Sequence, residues 1–330
     1  MNARRAFLAT AVAGLAAAPF AARAQKPGPL RLGLLVSGFD RFGRISDAFF
    51  QGLREQGYVE RDNLVVLMQD VQDRPHRYAF VAAALVAERP DVVLASSVPA
   101  ARAMRQATST IPIVFVGDPD PVASGLVASL ARPGGNVTGI SHLGNEVFGK
   151  RLEFLKQAVP SVRRVAYLWQ RGAFPVEIEA EMLKRTGAEA RTLGIELVPV
   201  EAAGAADLDR AFGAVGASRV DALVLHNPHP ILFGERKRIA GLAIGQRLPS
   251  VGTIREFVVD GGLMSYGPDF AASFRRAAVF VGRIAKGAKP AEMSVERATT
   301  LEFCVNVRTA AAIGLAIAPS LLARADDVIR

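Results

Sequence analysis

Asp118 and Asp120 flank Pro119 in the run Gly117-Asp118-Pro119-Asp120-Pro121. Two carboxylates at that spacing could take a ligand ammonium or amide donor, or they could be solvated turn acids, because Asp beside Pro is ordinary turn chemistry. Ser96 and Ser97 precede Pro99 and an Ala/Arg-rich helical stretch. Their hydroxyls, with the N–H groups of that helix, could hold a carboxylate, or they could simply cap the helix. Trp169 is the single tryptophan of the chain and stands at the end of a strand-like run, where stacking on a ligand and core packing both suit it. His226 and His229 form a His-x-x-His pair within His226-Asn227-Pro228-His229. That spacing can bind metal, but no cysteine or strong acidic set accompanies it, so a loop lining is the preferred reading and no metal is expected.

Other patterns carry less. Gly144-Asn145-Glu146-Val147-Phe148-Gly149-Lys150 has phosphate-loop spacing, but Arg151 stands where Ser or Thr would bind magnesium, and the first strand lies far upstream. Neither G-x-S-x-G nor G-x-G-x-x-G occurs. Cys304, the only cysteine, sits in the strand-like run Glu302-Phe303-Cys304-Val305-Asn306-Val307 and reads as a buried, inert thiol that forms no internal disulfide. No catalytic constellation and no cofactor are expected.

The elements that must position these residues alternate between strand and helix. In residues 112–141, Ile113-Val114-Phe115-Val116 reads as a buried strand and the prolines of the acidic loop end its ladder. Residues 122–130 are expected to form a short helix and residues 137–140 a second strand. One strand therefore delivers the two carboxylates to a loop at its C-terminal end, where open α/β sheets bind ligands. The same alternation runs from residue 30 to residue 141, then restarts and runs to about residue 252. Two βαβ series of similar length predict two doubly wound lobes.

The tail after residue 260 is too short for a third domain and must add to the lobes already formed. The strand Gly261-Gly262-Leu263-Met264-Ser265-Tyr266 and its helix are expected on the first lobe, and the strand at Glu302 on the second. Lobe one would comprise residues 30–141 and 262–290, and lobe two residues 142–261 and 291–330. The chain would then cross three times, near residue 141, across residues 253–260 and across residues 290–300, and three parallel crossings make a hinge.

With 330 residues, half of them apolar, and a mean hydropathy of +0.23, a large core is available. The formal charge of +9 is spread along the chain without a basic run or interleaved aromatics, which argues against a nucleic-acid partner. Part of that charge lies at the N-terminus. Arg4-Arg5 precedes a small and apolar run from residue 6 to residue 18, and Ala22-Arg23-Ala24 supplies a small-x-small cleavage site. Residues 1–24 are expected to be a cleavable export signal, by the twin-arginine or the general secretory route. Its removal would take three arginines and no acid from the chain. No cysteine follows the cleavage site to carry a lipid, so a soluble periplasmic protein is expected.

Taken together, the sequence resembles the substrate-binding proteins of ABC transporters, in their tryptophan/tyrosine-binding-like family. The resemblance is carried by Phe49-Phe50-Gln51-Gly52-Leu53-Arg54-Glu55-Gln56-Gly57-Tyr58, by Gly125-Leu126-Val127-Ala128-Ser129-Leu130-Ala131-Arg132-Pro133-Gly134-Gly135-Asn136-Val137-Thr138-Gly139, by Arg255-Glu256-Phe257-Val258, by Gly261-Gly262-Leu263-Met264-Ser265-Tyr266-Gly267 and by Pro319-Ser320-Leu321-Leu322-Ala323-Arg324-Ala325-Asp326. It covers nearly the whole chain after the export segment. It implies the type I periplasmic binding protein fold, with two lobes, a three-strand hinge and a ligand in the cleft. Three cleft-facing strand ends depart from the family pattern. Gln170 replaces a usual Asn, Ser96-Ser97-Val98 replaces a Gly/Thr-rich loop, and His226-Asn227 stands where an Asp is usual.

The expected function is non-catalytic: binding a small polar or amino-acid-like solute and delivering it to an inner-membrane permease, as a monomer. A receptor for a signalling partner, or an exported enzyme on the same fold, are the alternatives. Strand-end position nominates Ser37, Ser96, Ser97, Asp118 and Tyr266 from lobe one, and Trp169, His226 and Glu256 from lobe two.

Overall fold

Short β-branched runs separated by amphipathic helices have one stable solution, a parallel sheet with helices on both faces, and this chain adopts it twice. A computed structural model describes residues 28–37, 43–71, 74–143, 145–171, 176–226 and 230–330. The expected export segment lies outside the described residues, as do Gly144, Asn227 and His229. In chain order the elements are β1 (Leu30–Val36), α1 (Arg44–Glu55), β2 (Leu64–Asp70), α2 (Tyr78–Ala87), β3 (Val92–Ala95), α3 (Val98–Ala107), β4 (Ile113–Asp118), β5 (Val137–Ser141), α4 (Asn145–Ala158), β6 (Arg164–Trp169), α5 (Val176–Thr192), β7 (Glu196–Glu201), α6 (Leu208–Ala217), β8 (Ala222–Leu225), α7 (Pro230–Gly234), α8 (Arg236–Gly245), β9 (Ser250–Gly252), α9 (Arg255–Val259), β10 (Met264–Pro268), α10 (Phe270–Ala285), β11 (Glu296–Arg297), β12 (Leu301–Asn306), α11 (Val307–Ala312), α12 (Pro319–Leu322) and β13 (Asp327–Ile329). The helix expected across residues 122–130 is a string of turns. Gly125 adopts φ +72°, which leaves the helical region, and the Pro121 carbonyl instead accepts from the N–H groups of Leu126 and Val127.

The first sheet has the order β11-β5-β4-β3-β1-β2 and the second β13-β12-β10-β9-β8-β6-β7. Stripped of the tail strands, both read 2-1-3-4-5, the doubly wound order in which the chain reverses direction beside its first strand. Every pairing is parallel except β10 with β12. Leu32, Leu34 and Val36 of β1 pack against α1 and α10, whereas Leu35, Val93 and Phe115 pack on the opposite side against α2 and α3. In the second sheet Val165, Tyr167 and Val224 face α4, and Ala166, Leu168 and Leu223 face α6 and α8.

The tail is divided differently from the sequence expectation. The strand at Leu263 does not join lobe one, because β10 pairs parallel with β9 and antiparallel with β12 in the second sheet. It completes the five-strand repeat that β6 to β9 begin, a pairing that its own residues cannot reveal. Its helix, α10, does pack on the first lobe, against α1. Lobe one also gains β11 from the segment assigned to lobe two, through the pairs Glu296–Ile140 and Arg297–Ser141. The second crossing therefore lies between Pro268 and Phe270, not in residues 253–260. The first follows Ser141 and the third spans residues 298–300.

These crossings are bonded to one another. Ala298 N–H donates to the Ser141 carbonyl at 2.8 Å, and Asp269 N–H to the Thr300 carbonyl at 3.0 Å. His142, just past the first crossing, is buried with its Nε2 3.3 Å from Ser273 Oγ and its ring edge-on to Phe270, at 4.5 Å between centroids.

Gly52 sets how closely α1 and α10 approach. A Cβ there would stand 2.8 Å from the Ala278 Cβ and 2.9 Å from the Arg275 carbonyl oxygen. Alanine is worth about 1 kcal/mol more than glycine in a helix interior, while forcing a packed helix pair apart costs about 1–3 kcal/mol. Gly52→Ala is therefore expected to destabilise the protein, by up to about 2 kcal/mol net. Equilibrium urea unfolding measures it; a rise in stability would refute the packing argument.

Candidate functional site

In a sheet of order 2-1-3-4-5 the loops after the first and third strands part to opposite faces and leave a crevice at the C-terminal ends. In the first lobe that crevice lies between β1 and β3, which are followed by Ser37 and Ser96. In the second it lies between β6, which ends at Trp169, and β8, which is followed by His226.

On the first wall Ser37 is buried, and Ser96 and Ser97 are half-buried. Ser97 caps α3, its Oγ accepting from Ala100 N–H at 3.3 Å, with Pro99 at the second helical position. The Tyr78 hydroxyl stands 3.3 Å from the same Oγ. Tyr78 opens α2 and escaped the sequence reading because nothing local marks it.

Asp118 is 1 % exposed, and its carboxylate turns back on its own loop. Oδ1 accepts from Asp120 N–H at 2.8 Å, and Oδ2 accepts from the Ser124 hydroxyl. The positive φ of Gly117, +104°, and a register shift between Val116 and Asp118 make this turn possible. Burial pushes the Asp118 carboxyl up to about 6, against the hydrogen bonds from Ser124 and Asp120, which favour ionisation. These bonds tie both carboxylate oxygens to the loop that follows β4.

On the second wall, a narrow concavity is lined by Tyr167, Trp169, Gln170, Glu179, Met182, Leu183 and His226. Trp169 and His226 come from the strand ends, as expected; Glu179, Met182 and Leu183 come from α5 and were not anticipated. Below lies a polar support. The Tyr167 hydroxyl is hydrogen-bonded to His226 Nδ1. Arg151 is fully buried and donates to the Leu225 carbonyl at 3.0 Å and to Thr253 Oγ1 at 3.1 Å, while Thr253 Oγ1 donates to the His226 carbonyl at 3.3 Å. Burial pulls the Arg151 guanidinium down to about 10, which leaves it charged at neutral pH, and pushes the Tyr167 phenol up. The residue that spoils the phosphate-loop pattern is thus the strut beneath β8 and β9.

The walls touch. Val98, the first residue of α3, is buried against Ile178 and Met182 of α5. The N-terminus of α3 therefore faces the Trp169 concavity.

Glu256 and Tyr266 do not line that concavity. Glu256 is nine-tenths buried and lies 3.3 Å from Arg44 Nε, in a cluster where the same guanidinium reaches Asp269 at 3.3 Å and Glu302 at 3.0 Å. Tyr266 belongs to the second sheet, not to lobe one, and packs on Phe154 and Phe303 at 5.1 and 6.4 Å between ring centroids. A second hollow, of ≈ 270 Å³, lies beside the hinge between α10 and residues 296–300, and is lined by none of the switch-point residues. Among the described residues no group of three or more His, Cys, Asp or Glu could hold a metal ion, and no helix is long and apolar enough to cross a membrane. Burial pushes the Cys304 thiol up to about 12, helped by Glu302 and Asp327.

Residues 36–329 match the family model described as ABC transporter substrate binding protein. A tyrosine-binding protein of Clostridioides difficile is 24% identical over 267 residues, 81% of this chain and 75% of that one. Among solved structures, a conserved domain protein from Vibrio cholerae superposes with a TM-score of 0.82 at 26% identity, covering 91% of this chain and 99% of that one. The ABC domain from Streptococcus pneumoniae in complex with L-Trp also gives 0.82, at 23% identity, covering 92% and 100%.

The buried Asp118 carboxyl has a pH signature. Its folded value, about 6, exceeds the ordinary 3.8, so between those values the folded chain holds a proton that the unfolded chain has released, and stability falls as pH rises through that window. His142 slopes the other way, because burial pulls it to about 3 and acid favours the unfolded chain. Comparison with Asp118→Asn isolates the first effect. The wild type should lose stability relative to the variant between about pH 4 and pH 7, at about 1.4 kcal/mol per pKa unit. Parallel melting-temperature profiles for the two proteins would refute it.

Proposed function

Because the chain belongs to the ABC transporter substrate-binding protein family, we propose that it is an exported receptor that closes on an amino-acid-like solute and hands it to an inner-membrane permease, without catalysis. The observation that carries the reading is the facing of two topological switch points across the hinge, with Ser37, Ser96 and Ser97 on one wall and Trp169 and His226 on the other. A solute held there touches both lobes only when they are together, so its binding energy favours the closed form. The first wall suits a carboxylate, since the α3 N-terminus carries partial positive charge and Ser96 and Ser97 add hydroxyl donors. Trp169, with Met182 and Leu183, offers a flat apolar surface for the body of the solute.

Two relatives point to aromatic amino acids, the tyrosine-binding protein and the pneumococcal domain with L-Trp. Arg4-Arg5, the small-residue run and Ala22-Arg23-Ala24 support export of the chain to the periplasm. A monomer that takes only small molecules, with no nucleic-acid partner, fits this role.

The test is a thermal-shift screen of amino acids, aromatic acids and polyols on the purified protein, with small-angle scattering on each hit. A solute present at 100 times its Kd should stabilise the fold by about 2.7 kcal/mol and make the particle more compact. Unchanged scattering at saturation would count against closure. Turnover of a bound compound would overturn the non-catalytic reading.

A further inference from the structure

Outside the Trp169 concavity the lobe boundary carries charge. Arg44 is the first residue of α1, in the first lobe. Each nitrogen of its guanidinium addresses a different acid: Nε reaches Glu256 at 3.3 Å, one terminal nitrogen Asp269 at 3.3 Å and the other Glu302 at 3.0 Å. Glu256 stands on α9 and Glu302 on β12, both in the second lobe. Asp269 lies on the second crossing and caps α10, its Oδ1 accepting from Ala272 N–H at 3.2 Å. One contact is therefore at the pivot and two reach over the boundary. Glu302 is itself shared, with one oxygen on Arg44 and the other 3.8 Å from Arg255, which pairs with Asp327 at 2.6 Å.

A guanidinium is a rigid planar fork, so three acids on separate elements meet it together in one relative orientation of the lobes. In that orientation Val98 packs on Ile178 and Met182, and the walls of the cleft touch. We propose that Arg44 is an inter-lobe tie that biases the protein toward its closed form before any solute binds, and so raises solute affinity without touching the solute. This rests on the closure of two lobes on a solute. Partly exposed ion pairs have modest net worth, but two of them can change the ratio of closed to open forms by up to about 30-fold. Without the guanidinium the sign reverses: Asp269 would face Glu256 and Glu302, and like charges would push the boundary apart.

Small-angle scattering of the unliganded protein at about 0.02 M and about 1 M NaCl tests the tie, because salt screens both effects. The wild type should be compact at low salt and expand at high salt, as the attraction is screened. Arg44→Gln should be more expanded at low salt and contract at high salt, as the repulsion is screened. Adding Glu302→Gln to Arg44→Gln should restore part of the compactness, which a merely structural role for Arg44 does not predict. Arg44→Lys keeps the charge but not the fork; it should fall between wild type and Arg44→Gln, and it carries the comparison if the glutamine variant folds poorly. Calorimetric titration with L-tryptophan at low salt should show binding weakened by about 3- to 30-fold in Arg44→Gln. Scattering that is equal in wild type and variants, or equal affinity for L-tryptophan in wild type and Arg44→Gln, would overturn the tie and leave the receptor reading intact. The expected scattering shifts in a protein that binds neither L-tryptophan nor any other compound of the thermal-shift screen would uphold the tie and remove the receptor reading.

Discussion

Everything that passes between the lobes goes through three crossings that are hydrogen-bonded side by side. Ser141 is tied to Ala298, and Asp269 to Thr300, before β10 and β12 continue as an antiparallel ladder from Pro268–Leu301 to Met264–Val305. A single strand would let the lobes twist freely, whereas three bonded segments leave chiefly one bending freedom. Thr138 adds a bond to the Met293 carbonyl at 2.7 Å, anchoring β5 to the chain that leads into the third crossing. Burial keeps the His142 ring neutral there.

The charges sit beside the hinge instead. Arg44 begins α1 in the first lobe, Glu256 and Glu302 belong to the second, and Asp269 lies on the second crossing, so one guanidinium fastens three acids across the lobe boundary. Arg255 continues the network to Glu302 at 3.8 Å and Asp327 at 2.6 Å. Burial raises the Glu302 carboxyl against the pull of Arg44, so part of the attraction offsets desolvation and does not add to stability. Such a cluster fixes orientation more than it contributes energy. It explains why Glu256, at a strand end by sequence, serves the lobe boundary and not the Trp169 concavity.

Much of the architecture was legible because it is local. Alternating apolar runs and helical stripes announced both βαβ series, and Ser-Val-Pro marked Ser97 or Val98 as the cap of α3, of which the structure uses Ser97. The division of the tail was not legible, because β10 reads as a plain buried strand whose lobe is fixed only by β9 and β12. Arg44 could not be placed by spacing either, as its partners lie 212, 225 and 258 residues away. Strand-end position did place Trp169 and His226 on one concavity, since the crevice beside a switch point is a property of sheet order. Glu179 lines the same concavity from the first turn of α5, a position that no strand end marks. By sequence Arg151 reads only as a break in the phosphate-loop pattern, although a fully buried arginine on a helix demands acceptors, which the Leu225 carbonyl at the end of β8 and the Thr253 hydroxyl just after β9 supply.

The loop that carries Asp118 joins the cleft to the hinge. Its carboxylate holds Asp120 and Ser124 on the cleft side, while its backbone carbonyl accepts both the Ser141 hydroxyl at 2.8 Å and the His142 N–H at 3.2 Å on the hinge side. The wall of the first lobe and the first crossing are therefore one bonded unit and must move together. On the other wall, Arg151 and Thr253 tie the ends of β8 and β9 into a second such unit, to which Tyr167 binds His226. Under the proposed closure, lobe rotation would fall on the short spans after His142, between Pro268 and Phe270, and across residues 298–300. A rotation there would change the distance between the α3 N-terminus and α5, now in contact through Val98, Ile178 and Met182, while each wall keeps its own hydrogen bonds.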